Sequence, residues 1–269
     1  DSEGLVRTKS GEFWLADEYG PSLVHVDASG VVLERFVPAG LAYEGADYAV
    51  TPSLPALLAQ RKSNRGFEGL AFSSDEKTLF ALMQSPLLVP DKKTGENSRN
   101  VRILAFDIAA KKPSAEYVYR TELAGDIDPK SKDKQDDIKL SGLVAYAPNK
   151  LLVLERTDAL AKLFVVDFSK ATNVLGKAWD DKATAPSLEA LGDLAVAAIT
   201  PLAKTLAADL TRIAELPEKI EGLAVLDRST IALANDNDFD VGTVDANGVN
   251  VGKGAKCRLI VLKLDKPLP

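Results

Sequence analysis

Three glutamates in this chain share a local pattern, because Glu3, Glu68 and Glu221 are each followed by Gly-Leu and a short apolar run. Glutamate is a poor strand former, so its place at the start of such runs needs a reason. Ser141 takes the same position in a fourth copy. Converging carboxylates raise one another's pKa unless a cation compensates, and an oxygen-only ligand set suits Ca²⁺ rather than Zn²⁺. The pattern therefore predicts a shared cation site.

A second polar feature ends the next apolar run of each copy. It is a pair of adjacent residues, namely Asp17-Glu18, Met83-Gln84, Glu155-Arg156 and Asn235-Asp236. If these pairs lie at the same end of a common channel, their oxygens add to the site. The predicted ligands of Ca²⁺, with Mg²⁺ as the less favoured ion, are Glu3, Asp17, Glu68, Glu155, Glu221 and Asn235.

Two arginines and two acids complete the predicted chemistry. Arg65 lies three residues before Glu68, and Arg156 closes one of the polar pairs. A guanidinium binds phosphate or carboxylate oxygens in a bidentate manner, and the competing explanation is a salt bridge to a neighbouring glutamate. Glu18 and Asp236 are both candidates for a general base, and the sequence does not choose between them.

The four copies are internal repeats of a β-rich unit. Each continues through a second strand to a third one with alternating apolar and polar residues, and the first three units offer a fourth strand. Four strands per unit with repeated turns are typical of a propeller blade. The sequence therefore predicts an all-β protein, a single β-propeller of four-stranded blades over residues 1–38, 66–123, 138–216 and 218–266.

Two insertions interrupt the predicted blades, at 39–65 and 183–209. The second has Ala and Leu at helical spacing and is predicted to form one or two helices outside the blades. The fourth strand of the third unit is predicted over 211–217. The first unit starts at its opening glutamate and the last lacks a fourth strand, so N-terminal blade material is expected to be missing, cleaved away or held as a separate chain.

Composition argues against several other classes of function. The 33 basic and 39 acidic residues give a net charge of −6, which disfavours a nucleic-acid partner. The sequence has no apolar stretch long enough to span a membrane. Its single histidine, His25, alternates along a predicted strand and does not support a Ser-His-Asp triad. The start at Asp1, without an initiator methionine or a signal peptide, leaves a processed and exported form open.

The repeat segments also match the motifs of a known family. They are SEGLVRTKSGEFWLADEYGPSLVHVDASG, NRGFEGLAFSSDEKTLFALMQSPL, SGLVAYAPNKLLVLER and KIEGLAVLDRSTIALANDNDF. They resemble the phytase-like domain of proteins named for esterase-like activity of the phytase family, from Asp1 to about Pro267. The resemblance implies a bacterial β-propeller, periplasmic or secreted, that hydrolyses phosphoesters or carboxyesters with the help of calcium. The family usually has a further glycine-rich unit before the position where this chain begins.

These observations lead to three functional predictions. The first is a calcium-dependent ester hydrolase, most readily a phosphoesterase, which acts on a small-molecule ester in the channel of the propeller. The second is a non-catalytic binding propeller that holds a structural calcium ion. The third is a lactonase-like or carboxylesterase-like propeller, which a preference for carboxyesters over phosphoesters would distinguish.

Overall fold

Four β-sheets make up most of the regular structure. The computed structural model describes residues 1–252, 254 and 256–269. Within these residues the strands form one five-stranded sheet, two four-stranded sheets and one three-stranded sheet, each made of strands that are consecutive in the sequence. The first strands of successive sheets lie side by side. The chain is therefore a β-propeller with four blades, as the sequence predicts.

The blades are numbered along the chain, and their strands run from the inside outward. Blade 1 contains β1 (Ser2–Arg7), β2 (Phe13–Asp17), β3 (Ser22–Val26), β4 (Val32–Pro38) and β5 (Ala49–Leu54). Blade 2 contains β6 (Phe67–Phe72), β7 (Thr78–Met83), β8 (Asn100–Asp107) and β9 (Lys112–Arg120). Blade 3 contains β10 (Lys139–Ala147), β11 (Lys150–Arg156), β12 (Ala161–Asp167) and β13 (Ala203–Asp209). Blade 4 contains β14 (Ile220–Asp227), β15 (Thr230–Asn235) and β16 (Leu259–Lys263).

Helical structure is confined to short segments between the strands. The first insertion, 39–65, holds β5, which runs parallel to β4, and a 3-10 helix at Ala56–Gln60. Two short α-helices, α1 (Lys92–Asn97) and α2 (Ala124–Ile127), lie in loops. None of the helices in the described part of the chain has the length and apolar character needed to cross a bilayer.

The second insertion, 183–209, is not built as the sequence predicts. Its described residues contain 3-10 turns at Leu188–Ala190 and Ala195–Ala197 but no α-helix. Its last seven residues form β13, which pairs antiparallel with β12 as the outer strand of blade 3. The prediction of a fourth strand over 211–217 is therefore wrong, because the sheet recruits an earlier segment.

Packing across two blades explains why this insertion does not become a helix. Leu188, Leu191, Leu194 and Ile199 of the insertion pack against Val118 on the outer strand of blade 2. The backbone N–H of Leu202 also donates to the carbonyl of Val118 at 2.9 Å. The apolar residues whose spacing resembles a helical face therefore hold an irregular segment against blade 2. These tertiary contacts outweigh local helix propensity.

Apolar side chains fill the spaces between neighbouring blades. Trp14 and Phe36 of blade 1 meet Phe106 of blade 2, and the Phe36 and Phe106 ring centroids are 4.8 Å apart. A separate cluster joins blades 3 and 4 through residues such as Leu154 and Leu233. These contacts hold the inner strands in register around the centre, where the predicted acids lie.

Candidate metal centre

The three glutamates and Ser141 occupy equivalent places in the four innermost strands. In each blade the pairing between the first and second strands shifts at this residue. A register shift of this kind is a β-bulge, which turns a side chain out of the regular alternation of a strand. The acid therefore stands at the strand entrance because the bulge aims it toward the axis, in spite of its low strand propensity.

The glycine after each acid allows neighbouring inner strands to approach closely. A Cβ atom on Gly4 would lie 2.8 Å from the backbone oxygen of Glu68 in the next blade. A Cβ atom on Gly142 would lie 3.2 Å from the backbone oxygen of Glu221. The first distance forces one of the two strands to shift and the second is a tight contact, so glycine favours the convergence of the inner strands.

This convergence gathers the predicted acids into one small volume. Carboxylate oxygens of Glu3, Glu68 and Glu221 all lie within 4.8 Å of one another. A second group within the same limit is formed by Asp1, Glu3 and Glu18, so Glu3 belongs to both. These acids line a cavity of about 730 Å³ at one end of the propeller axis.

The two members of each polar pair at the end of a second strand differ in whether they reach the cavity. The second member of each pair lines the cavity, and these residues are Glu18, Gln84, Arg156 and Asp236. The first member of each pair is absent from the lining, and these residues are Asp17, Met83, Glu155 and Asn235. In blades 1, 2 and 4 the first member is the last residue of its strand, and the second member is the first residue beyond the strand, at the end of the propeller where the cavity lies.

Two of the predicted metal ligands are therefore engaged elsewhere. The Asp17 carboxylate accepts hydrogen bonds from the Arg35 guanidinium and the Gly20 backbone N–H, each at 3.0 Å. The side-chain oxygen of Asn235 accepts a hydrogen bond from the backbone N–H of Arg258 at 2.8 Å. Neither side chain joins the carboxylate groups at the axis, so neither is a candidate ligand.

Glu155 is also not a candidate ligand, although its side chain is fully buried. Its carboxylate accepts hydrogen bonds from the Tyr119 hydroxyl at 2.6 Å and from the Lys204 ammonium at 2.8 Å. The backbone N–H of Glu122 donates to the other carboxylate oxygen at 2.5 Å. These donors satisfy the charge of Glu155 within the boundary between blades 2 and 3, so its role is structural.

The two predicted arginines both line the cavity, but their partners differ. Arg156 is buried, its Nε donates to the Ser141 hydroxyl at 2.9 Å, and its Nη2 donates to Glu221. Arg65 donates through Nη1 to the backbone oxygen of Asp136 at 2.5 Å. Its Nε and Nη2 atoms have no hydrogen-bond partner among the described residues, so Arg65 retains donors for a bound anion.

The crowded acids have strongly raised pKa values. Burial, together with the neighbouring charges of Glu18, Glu221 and Glu3, raises the pKa of Glu68 to about 8, against the opposing effect of the Gln84 amide. Burial and the charges of Glu3 and Glu221 raise the pKa of Glu18 to about 7. The cluster of carboxylates therefore holds negative charge at a high free-energy cost unless protons or a cation compensate it.

A buried oxygen atom without a hydrogen-bond partner indicates whether a cation fits among these carboxylates. The side chain of Glu68 is buried, and its Oε2 has no hydrogen-bond partner. A buried carboxylate oxygen without a partner carries a desolvation cost that a coordinated cation removes. The donor set consists only of carboxylate oxygens from three blades, which matches the preference of Ca²⁺ for several hard oxygen ligands. The residues present therefore fit a calcium ion.

Sequence reasoning missed several residues of this cavity. Asp1, Lys139 and Lys219 all line it, and each stands two positions before the acid or serine of its unit. In the second unit the same position is taken by Gly66. In blades 1, 2 and 4 the backbone oxygen of the residue at this position accepts a hydrogen bond from the backbone N–H of the cavity-lining member of the polar pair. Extending the alignment of the repeats by two residues would have found these positions.

Comparison with known proteins identifies a family whose model covers most of the chain. A family model described as "Phytase-like: Esterase-like activity of phytase" matches residues 1–239. An uncharacterized secreted protein of Arthroderma benhamiae is 31% identical over 147 residues, which are 49% of this chain and 29% of that protein. This chain thus spans less than a third of the length of that curated relative.

The solved structures to which this chain is similar have low sequence identity to it. The RRP9 WD40 repeats are 13% identical with a TM-score of 0.41, and the match covers 88% of this chain and 46% of that one. The periplasmic gluconolactonase of Pseudomonas aeruginosa is 13% identical with a TM-score of 0.38, over 99% of this chain and 58% of that one.

Proposed function

Because the chain belongs to the phytase-like family described by esterase-like activity of phytase, we propose that it is a calcium-dependent ester hydrolase whose preferred substrates are phosphoesters. The observation that carries the proposal is the convergence of Glu3, Glu68 and Glu221, with a buried and unpartnered oxygen on Glu68. The substrate is a small molecule that enters the cavity at the end of the propeller axis.

The three glutamates from blades 1, 2 and 4 would hold the ion. A calcium ion bound by Glu3, Glu68 and Glu221 would supply Lewis acidity toward an ester oxygen and toward an attacking water. The third blade contributes Ser141 and Arg156 at the equivalent place, so the ring around the axis is acidic on three sides and basic on one. This asymmetry gives an anionic substrate a side from which to approach.

Arg65 and Arg156 are the groups that favour a phosphoester over a neutral ester. Both guanidinium groups line the same cavity as the glutamates. Planar guanidinium groups match phosphate oxygens and compensate charge that develops on the phosphoryl group. Lys139 and Lys219 line the cavity as well, but each ammonium group already forms an ion pair, with Asp158 and Asp238 respectively.

Glu18 is the better placed of the two candidate bases. Its side chain is buried, and it has no hydrogen-bond partner among the described residues. Asp236 is already engaged, because its Oδ1 accepts the backbone N–H of Asp238 at 2.9 Å. A base that abstracts a proton from water needs an accessible lone pair near the reacting atoms, and Glu18 lies within 4.8 Å of Glu3 in the acid cluster.

Turnover of a small substrate panel tests this function. We expect hydrolysis of p-nitrophenyl phosphate that a chelator abolishes and added Ca²⁺ restores, with slower hydrolysis of p-nitrophenyl acetate and of a lactone. Glu68→Gln and Glu221→Gln should each reduce the calcium-dependent rate about 100-fold or more. Glu44→Gln is the matched control, because Glu44 is exposed on a loop of blade 1 and lies outside the cavity.

Three outcomes would contradict the proposal in different ways. Retention of calcium-dependent turnover in both cavity variants would place the chemistry elsewhere. Calcium-dependent thermal stability without turnover of any substrate would favour a non-catalytic binding propeller. Faster hydrolysis of the lactone or acetate than of the phosphate would favour a carboxylesterase.

We further propose that the protein acts outside the cytoplasm, in the periplasm or secreted, as its secreted relative suggests.

A further inference from the structure

The lining of the axial cavity is charged or polar except at one place. Among the described residues that line it, only Phe239 and Val241 are apolar. Both belong to the loop that connects β15 to β16 in blade 4. Phe239 is 93% exposed, and Val241 is 50% exposed. The cavity that gathers the glutamates therefore has an apolar patch on its blade 4 side.

The backbone at Phe239 has a conformation that a bulky residue rarely adopts. Its φ and ψ angles are 54° and 24°, in the left-handed helical region, and the flanking Asp238 and Asp240 have φ angles of 51° and 54°. Aspartate visits this region at a modest cost, whereas phenylalanine is a genuine outlier there. Strain of this kind persists only where the surrounding structure imposes it, and it clusters at ligand-binding sites.

Contacts on both sides of this turn impose the strained conformation. The Lys219 ammonium group donates to both carboxylate oxygens of Asp238, at 2.5 and 2.6 Å. The side-chain amide of Asn250 donates to the backbone oxygen of Asp240 at 3.2 Å, and its side-chain oxygen accepts the backbone N–H of Gly242 at 2.8 Å. The turn is therefore fixed before a ligand arrives, so binding does not cost the entropy of ordering it.

An exposed aromatic ring at the wall of a charged cavity suits a ligand that is charged at one end and apolar at the other. Small-molecule sites combine apolar walls with a few polar groups that fix the orientation of the ligand. Here the glutamates and Arg65 supply the polar groups, and Phe239 and Val241 supply the apolar wall. A ring on the ligand would remove the exposed surface of Phe239 from water, whereas a purely polyanionic ligand would leave it there.

We propose that Phe239 is a specificity-determining residue, which selects phosphoesters whose alcohol part carries an apolar ring. The ring packs against Phe239 and Val241 while the phosphoryl group lies among the glutamates and Arg65. This inference rests on the proposed function, because that function places the phosphoryl group in the cavity. Phe239 contacts the part of the substrate that does not react, so it contributes to ligand affinity and leaves the bond-breaking step to the other residues.

Two phosphonates test recognition without turnover, because their P–C bond replaces the ester bond. Calorimetric titration of the protein in Ca²⁺ should show that phenylphosphonate binds about tenfold more tightly than methylphosphonate. Phe239→Ala should remove this preference, while its affinities for methylphosphonate and for Ca²⁺ stay within about twofold of the parent. Phe239→Leu, which keeps an apolar side chain, should retain part of the preference. Val244→Ala is the matched control, because Val244 is 66% exposed on the same loop and lies outside the cavity lining.

The possible failures of this inference and of the proposed function are distinguishable. Equal affinity of the parent for the two phosphonates would overturn the role of Phe239 and leave the proposed function standing. Failure of both phosphonates to bind would contradict the proposed function and this inference together. An equal loss of affinity for both phosphonates in Phe239→Ala would mean that the residue maintains the loop and does not select the ring, which would also overturn the inference. Circular dichroism on each variant checks that the fold is intact.

Discussion

The guanidinium of Arg156 in blade 3 donates a hydrogen bond to the carboxylate of Glu221 in blade 4. Its Nε donates at the same time to Ser141, the residue that replaces glutamate in the third repeat. The smaller serine leaves space that the arginine fills, so one of the three axial acids is already partly neutralised. A cation at the axis must therefore share Glu221 with Arg156.

This sharing predicts opposite effects of Arg156 on binding and on catalysis. Arg156→Gln removes a positive charge beside Glu221, so calcium affinity should rise about three- to tenfold. Phosphoester kcat/KM should fall about 100-fold, because the same guanidinium compensates charge on the phosphoryl group. Calorimetric titration with Ca²⁺ measures the first effect, and Lys112→Gln, at an exposed site on blade 2, is the control. Calcium affinity that falls in Arg156→Gln would contradict the shared arrangement.

The raised pKa of Glu68 predicts an unusual pH dependence of stability. Folding raises this pKa from 4.5 to about 8, so the folded state favours the protonated form. The stability of the metal-free protein is then complete below pH 4.5 and is lost as the pH rises toward 8. In the presence of a chelator, the free energy of unfolding should fall by about 2–5 kcal/mol between pH 5 and pH 8.

Denaturant unfolding at pH 5, 6.5 and 8 measures this slope with and without Ca²⁺. Calcium should stabilise the protein more at pH 8 than at pH 5, because protons and the cation compete for the same carboxylates. A metal-free protein whose stability stays constant or increases over this range would show that the acids are not crowded in solution.

Glu68→Gln should separate charge repulsion from cation binding. The substitution keeps the shape of the side chain and removes one negative charge from the cluster. In chelator at pH 8 the variant should be more stable than the parent by about 1–3 kcal/mol, and its calcium affinity should be lower by a factor of about 10–100. Melting temperatures with and without Ca²⁺ measure both effects, with Glu44→Gln as the reference. Loss of stability in chelator would argue against repulsion at this place.

Lys204 should affect stability without affecting the metal centre. Its ammonium group donates to the buried carboxylate of Glu155 at 2.8 Å. Lys204→Met leaves that carboxylate without its cation and should lower the free energy of unfolding by about 3–5 kcal/mol. Calcium affinity of the folded variant should stay within about twofold of the parent. Lys170→Met, at an exposed turn of blade 3, is the control. A large loss of calcium affinity in Lys204→Met would mean that Glu155 contributes to the metal centre.

Gly4 tests the close approach of the inner strands. Gly4→Ala places a methyl group 2.8 Å from the backbone oxygen of Glu68, so one of the two strands must shift. We expect a loss of about 1–3 kcal/mol in stability and weaker calcium binding, because the shift displaces Glu68. Gly192→Ala should be neutral, since a Cβ there meets no atom within 4 Å. Unchanged calcium binding in Gly4→Ala would contradict this prediction, because it would mean that the spacing of the inner strands does not determine the geometry of the acids.

Local repeats were sufficient to predict most of the architecture. Each unit carries the acid or serine, Gly-Leu and a second apolar run, and these residues form the first two strands of every blade. Glu3, Glu68 and Glu221 were predicted to converge because equivalent positions of a propeller face the same axis. The structure brings these three together.

The sequence alone determined the repeat, the blades and the acids at the strand entrances, since these depend on local spacing that recurs four times. Only the tertiary structure decided the rest. The repeat predicts Glu155 as a ligand, but its carboxylate is engaged by Tyr119 and Lys204. The spacing of Ala and Leu in 183–209 predicts helices, but Leu188, Leu191 and Leu194 pack on blade 2. Contacts between residues far apart in the chain leave no periodic trace in the sequence, yet their free energies are large enough to override local preference.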